Sequence, residues 1–165
     1  AEDALGAVVS LDVIEHVRNV PLYVQEINRA VRPGGYVAIS TPNRYSLSAE
    51  PHVFVWGVGW LPRRWQKRFV HWRSGKNYDD TVLMSYRELR SQVKRNSDFS
   101  ISIRIPSIPS DHILQFSPTK AAVARFYNQL VRFGALDMLF FLVGPFFQMT
   151  GIKNVPFGRG AAPEG

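Results

Sequence analysis

The chain has 165 residues, enough for one domain with a real core, and its 45% apolar and 20% charged residues exclude a disordered polypeptide. It contains no cysteine, which excludes disulfides, a thiolate nucleophile and a cysteine-ligated metal, and which is compatible with a cytoplasmic enzyme. Lys and Arg outnumber Asp and Glu by 20 to 13, and the resulting +7 calls for an acidic partner, an acidic surface or a balancing acidic segment.

Residues 8–11, VVSL, form a short β-branched apolar run, the pattern of a strand buried on both faces. Asp12, Glu15 and His16 follow at once, so three ligand-capable side chains cluster past its carboxyl end. Pro21 suits the first turn of a helix, and Tyr23, Val24, Ile27, Ala30 and Val31 recur at helical spacing. Arg29 and Arg32 are expected in the last turn, where cations suit the helix dipole, before Pro33-Gly34-Gly35 stops the helix. Residues 36–40 read as a second buried strand. Two strands joined by a crossover helix make a right-handed βαβ unit with parallel strands. Ligands bind off the carboxyl ends of such strands, which here carry Ser10-Leu11-Asp12 and Thr41-Pro42-Asn43.

The string LDVIEHV, followed at this interval by VRPGGYVAISTPN, resembles the second half of the class I S-adenosylmethionine-dependent methyltransferases. The resemblance implies an α/β fold: a Rossmann-like methyltransferase sheet of which residues 1–155 supply only the C-terminal half, strands four to seven. The Gly-rich cofactor turn and the acidic ribose-binding residue of the family have no counterpart here, so a missing N-terminal half of the same domain is expected. Strand four would then be an exposed edge and this piece alone inactive. The resemblance further implies S-adenosyl-L-methionine as cofactor and a small-molecule acceptor. Ser10, Leu11, Asp12 and His16 fall at the family's cofactor-binding positions, and Asp12 is expected to face the reaction centre.

Residues 44–84 would be an insertion after strand five, a lid over the cofactor cleft. It holds all four tryptophans and, after Arg44, six cations, with a helix running from about Leu61-Pro62 to Trp72. Trp65, Phe69 and Trp72 are expected to dock that helix onto the core. Further on, Ser85 and Glu88 form a capping box for a helix ending near Asn96, and Ile101, Ile103 and Ile105 alternate as a strand stopped by Pro106. Residues 109–118, including Asp111 and His112, read as a loop, and the helix opening at Ser117-Pro118 is a second candidate wall of the acceptor pocket. Residues 138–152 carry no charge, but the run is 15 residues long and broken by Gly144-Pro145, too short to cross a membrane. Residues 146–152 are expected to form the last strand, antiparallel to strand six, with residues 139–143 packed beneath it or facing an apolar pocket. Residues 156–165 read as a flexible tail.

Methyl transfer to oxygen asks for the acceptor close to the methyl group and for one proton to be managed. His52, in the loop Glu50-Pro51-His52, is a candidate general base because histidine ordinarily titrates near neutrality. Asp12-x-x-Glu15-His16 is also similar to the acidic/His string of ubiquinone-biosynthesis O-methyltransferases, where it can hold a divalent cation. The alternative is that Glu15 caps the helix and His16 packs against the loop, with no metal. The expected activity is O-methylation of a lipid, quinone or glycan precursor. The basic aromatic insertion is either a solvated helix face or a peripheral contact with an anionic membrane. No RNA-binding module appears, so no nucleic acid is expected. The reading from another class is a non-catalytic α/β interaction domain that uses this face to bind membrane or a partner.

Overall fold

The structure is a computed structural model that describes residues 2–133 and 137–155. Strand β1 (Leu5–Leu11) leads through a short 3-10 turn into helix α1 (Val20–Ala30), which crosses to strand β2 (Val31–Pro42). The two strands pair in parallel from Ala7 opposite Tyr36 to Leu11 opposite Ser40, as the βαβ pattern requires. Asn19 caps α1 by accepting from the Leu22 N–H, and Pro21 sits in the first turn. The helix ends at Ala30, one residue short of its apolar stripe and two short of Arg32. Arg32 therefore belongs to β2, where the ladder shifts register between Leu5 and Ala7. Gly35 is required there, since a Cβ would lie 2.7–2.9 Å from Val31 and from the Arg32 and Gly6 carbonyls.

After β2 come α2 (Arg63–Ser74), α3 (Tyr86–Asn96), β3 (Phe99–Arg104), α4 (Ser110–Leu114), α5 (Pro118–Phe133), α6 (Asp137–Val143) and β4 (Phe146–Lys153). The sheet order is β1-β2-β4-β3, with β4 antiparallel to both neighbours. The reciprocal Ser85–Glu88 capping box opens α3. The stretch expected as a loop around Asp111 and His112 contains α4, because Asp111 and His112 lie inside a single helical turn begun at Pro109. No helix among the described residues is long and apolar enough to cross a membrane.

One sheet face is covered. Ile14, Val24, Ile27, Val37, Ile39, Leu89, Val93, Phe99, Phe147 and Met149 form the main core between the sheet, α1 and α3. Alternate residues point the other way: Val9 is 66%, Leu11 63% and Tyr36 59% exposed, so the opposite face is open. Among the described residues β1 pairs with β2 alone, leaving its outer edge free.

The insertion has a core of its own, Val53, Val55, Val58, Val70 and Tyr78, with Phe69 packed against it. Phe69 thus docks α2, but onto the insertion's own cluster. Trp65 and Trp72 do not dock: they are 55% and 75% exposed, and Trp56 and Trp60 are exposed as well. The buried side of α2 is instead built from Gln66 and Val70, on the opposite side of the helix from the tryptophans. Residues 156–165 lie outside the described residues.

Candidate active site

The site forms where the carboxyl ends of β1 and β2 meet the insertion. Immediately after β1, Asp12 takes a left-handed backbone, φ 52°, while its N–H bonds to the Ser40 carbonyl at 2.9 Å. That turn aims the following 3-10 segment, Ile14–His16, back under the strand ends. Ile14 and Glu15 become fully buried, and His16 emerges at the surface. Glu15 does not cap α1, a role taken by Asn19. One of its oxygens, Oε2, accepts from Thr41 Oγ1 at 2.9 Å, and Thr41 is itself fully buried at the end of β2.

The loop after β2 brings the other half. Glu50 is buried, and its Oε2 accepts from the His52 N–H at 2.9 Å and the Val53 N–H at 2.8 Å. Its Oε1 lies 2.5 Å from His52 Nδ1, so the imidazole is oriented by a carboxylate. Across the cleft, His16 Nδ1 lies 2.8 Å from the Asp80 carbonyl, and the two Nε2 atoms of His16 and His52 face each other at 3.1 Å. A carbonyl and a carboxylate can only accept, so both Nδ1 atoms act as donors. The facing Nε2 atoms of two neutral rings are then both acceptors, and a shared proton or a cation must lie between them. Glu15 Oε1 points to the same place: it is buried with no hydrogen-bond partner and lies 4.0 Å from His52 Nε2. An uncompensated buried carboxylate oxygen is costly, which marks this spot as one that wants positive charge.

Glu15, His16 and His52 each offer a ligand atom within 4.8 Å of the others. A carboxylate with two imidazoles is a donor set suited to a divalent transition metal, and the orphaned oxygen means that these residues fit one. Asp12 is not in this group; it is exposed on the turn. Tyr78 lines the far side of Glu50. Burial above all, and then the Glu50 carboxylate, pushes its phenol above tyrosine's usual range.

The remaining expected cofactor residues divide by face. The Ser10 side chain is buried and committed to the Tyr23 hydroxyl at 2.6 Å, leaving only its backbone for a ligand. Leu11 and Asp12 are exposed at the carboxyl end of a strand whose outer edge is free. This ledge fits one side of an extended nucleoside-sulfonium cofactor. Sequence reasoning missed Glu50 as the orienting group, Thr41 as the partner of Glu15, and the junction of His52 with His16. A carboxylate two residues before a histidine was the local signal for the first.

A family model described as a methyltransferase domain matches residues 2–101, more than half of the chain. The chain belongs to the methyltransferase domain family. Among curated relatives, the ubiquinone biosynthesis O-methyltransferase of Rhizobium etli is 34% identical over 65 residues, covering 38% of this chain and 26% of that protein. The corresponding protein of Maricaulis maris is 36% identical over 64 residues, covering 38% and 25%. The chain thus spans about a quarter of the length of these relatives. Of solved structures, an S-adenosylmethionine-dependent methyltransferase from Mesorhizobium loti superposes with TM-score 0.52 at 15% identity, covering 92% of this chain and 63% of that one. Phosphoethanolamine N-methyltransferase 2 of Haemonchus contortus, in complex with S-adenosyl-L-methionine, gives 0.51 at 14%, covering 94% and 34%. At these identities the likeness concerns the fold.

Proposed function

We propose that the protein containing this chain transfers a methyl group from S-adenosylmethionine to an oxygen of a small-molecule acceptor, with His52 as general base. The observation that carries this reading is the Glu50–His52 pair beside the carboxyl ends of β1 and β2. Glu50 fixes the ring through Nδ1, which leaves Nε2 directed into the cleft toward His16 and Glu15. In that position Nε2 takes the acceptor's hydroxyl proton as oxygen becomes the nucleophile. Glu50 stabilises the imidazolium so formed, and Leu11 and Asp12 line the cofactor side. The sulfonium, when bound, supplies the electrophilic methyl and a neutral thioether leaving group. The curated relatives, ubiquinone biosynthesis O-methyltransferases, support oxygen as the methylated atom and, within the lipid, quinone or glycan precursors considered, a quinone precursor as the acceptor.

In this reading Glu15, His16 and His52 would hold a divalent cation, which when bound would supply positive charge beside the acceptor oxygen. His52 Nε2 can act as the base only while it is not a ligand, so with a cation held there the acceptor's proton would have to leave to solvent. Titration calorimetry with Mg²⁺, Mn²⁺ and Zn²⁺ tests this: binding to the native protein should be lost in Glu15→Gln. Equal heats from both proteins would remove the cation from the proposal.

The test of the activity is transfer of radiolabelled methyl to a phenolic or catechol acceptor by the full-length protein. His52→Ala and Glu50→Gln should lower the rate by about 10²- to 10⁴-fold, the usual contribution of a positioned base. Unchanged turnover in His52→Ala would overturn the assignment. We also propose a cytoplasmic enzyme resting peripherally on an anionic membrane. The support is α2, where exposed Trp65 and Trp72 are flanked by Arg64 and Arg73 stacked on their rings, with no acid between Arg63 and Lys76. Co-sedimentation with phosphatidylglycerol vesicles should weaken in Trp65→Ser/Trp72→Ser, and equal binding by that variant would refute the contact.

A further inference from the structure

Where the chain beyond the matched residues 2–101 packs against the loop after β2, it builds a second feature that the transfer of the proton at His52 does not use. A cavity of about 620 Å³ lies between α5, α6 and the loop after β2. Its walls are Leu47, Ile108, Phe116, Val123, Tyr127 and Phe140. Among the described residues, Lys120 is the one charged residue lining it. A volume of this size suits a drug-sized or lipid-sized ligand rather than a few waters.

Polar bonds outside the cavity hold its walls in place. The Asn128 side chain accepts from the Ile108 N–H and donates to the Ile108 carbonyl, both at 2.8 Å, and the Tyr127 hydroxyl donates to the Pro106 carbonyl at 3.0 Å. On the other side, the Leu47 N–H bonds to the Val143 carbonyl at 3.1 Å, and Asn43 donates to the Leu142 and Gly144 carbonyls. The groove is therefore pre-formed, yet Leu47 and Val123 on its walls are 59% and 64% exposed. Apolar walls fixed open by hydrogen bonds are stabilised by an apolar occupant.

Position selects the occupant. Ser46, Ser48 and Pro145 line this cavity and also the narrower cleft that Glu50 and Pro51 close. The two spaces share a wall, so the groove adjoins the cleft lined by Glu50, the residue that orients His52. We infer that this groove is a binding site for the hydrocarbon tail of an amphiphilic acceptor, whose polar head is presented at Glu50–His52. The inference rests on the proposed methyl transfer for its purpose but not for its test. It narrows the acceptor from any small hydroxyl compound to one carrying a long apolar chain. A free sugar or a short phenol would leave the groove unfilled.

The experiment is fluorescence titration of the chain with 11-(dansylamino)undecanoic acid, with dansylglycine as the short control carrying the same fluorophore and carboxylate. The long probe should bind at least tenfold more tightly than dansylglycine. Val123→Glu, an exposed substitution that leaves the fold intact by circular dichroism, should weaken it about tenfold by placing a charge on the groove wall. Equal binding of the two probes, or an unaffected Val123→Glu variant, overturns the site. So does a concentration-dependent dimer whose formation excludes the long probe, since a second copy would then be the occupant. S-adenosylhomocysteine binding is read separately on the full-length protein. Chain-length-dependent probe binding without it supports the groove and sinks the methyltransferase reading. Cofactor binding without chain-length dependence overturns the groove and leaves that reading standing.

Discussion

Asn43 ties the carboxyl end of β2 to the linker between α6 and β4, and its replacement tests whether that joint holds the site's floor. The residue is 1% exposed. Its Nδ2 donates to the Gly144 carbonyl at 2.8 Å and the Leu142 carbonyl at 3.0 Å, and its Oδ1 accepts from the Tyr45 N–H at 3.1 Å. Asn43→Ala removes all three bonds. Water can replace the partner of the half-buried Tyr45 amide, but it reaches the two carbonyls poorly. Each of the two lost bonds to carbonyls contributes about 1 kcal/mol, and each carbonyl left unpaired costs at least that again, so the loss should be about 4 kcal/mol. With a urea slope of roughly 2 kcal/mol/M, the unfolding midpoint should fall by about 2 M with an unchanged slope. Asn43→Asp is the sharper perturbation. It keeps the shape but turns a donor into an acceptor facing two carbonyl oxygens, so it should be worse than Asn43→Ala at neutral pH. Should the alanine variant shift by less than about 0.3 M, or the aspartate variant prove the milder, the joint would be incidental and the reasoning wrong.

Three further outcomes follow from the same geometry. Thr41→Val keeps the shape but strips buried Glu15 of its one hydrogen-bond donor, so stability should drop about 2 kcal/mol, or roughly 6 °C in melting temperature; an unchanged melt would show that Glu15 has another partner. Gly59→Ala would set a Cβ 1.6 Å from the Arg44 carbonyl oxygen, so it should cost about 2 kcal/mol or more by chemical denaturation, whereas a neutral result would mean that the insertion shifts freely. Burial opposes ionisation of Glu88, but the Ser85 N–H and hydroxyl and the Arg63 guanidinium outweigh it and hold the carboxyl below its ordinary 4.5. A lowered folded-state value means stability that is present above pH 4.5 and lost as pH falls through that lowered value. Glu88→Gln should therefore flatten the acid limb of the stability profile, and an identical limb in both proteins would contradict it.

The parts of the fold that periodicity governs were legible. The strand runs, the βαβ crossover and the capping box at Ser85 follow from alternation, helical spacing and stop signals over a few residues, whereas the antiparallel last strand was expected only from the family resemblance. What misled was context. The apolar stripe of α1 ran on into Val31 because strand and helix share that residue's preference, and only the ladder shift opposite Gly6 shows where one ends. The tryptophans of α2 carry the spacing of a docked face, yet the helix buries Gln66 and Val70 instead, since Leu61, Tyr78 and the valines of the insertion lie on that side. His52 was a lone loop histidine in the sequence. Its significance depends on His16, 36 residues away, and on a buried carboxylate whose second oxygen has no partner, and neither is a property of local sequence.

The location of these groups has a physical cause. The main core and the insertion's core are separate apolar clusters, and the seam between them is polar. Arg44 reaches the Gly59 and Leu61 carbonyls, Glu88 pairs with Arg63 and Arg44, the Val82 N–H bonds to the Glu15 carbonyl, and the His16–His52–Glu50 chain crosses the same seam. Apolar contact is non-directional and would let the insertion slide over the strand ends. Directional bonds fix its orientation, and they do so with the side-chain types that can also hold a proton or a cation. Hydrogen bonds that set the insertion on the sheet therefore also set the distance between His52 and the ledge at Leu11 and Asp12. Substitutions along this seam should alter turnover before they alter the stability of either core.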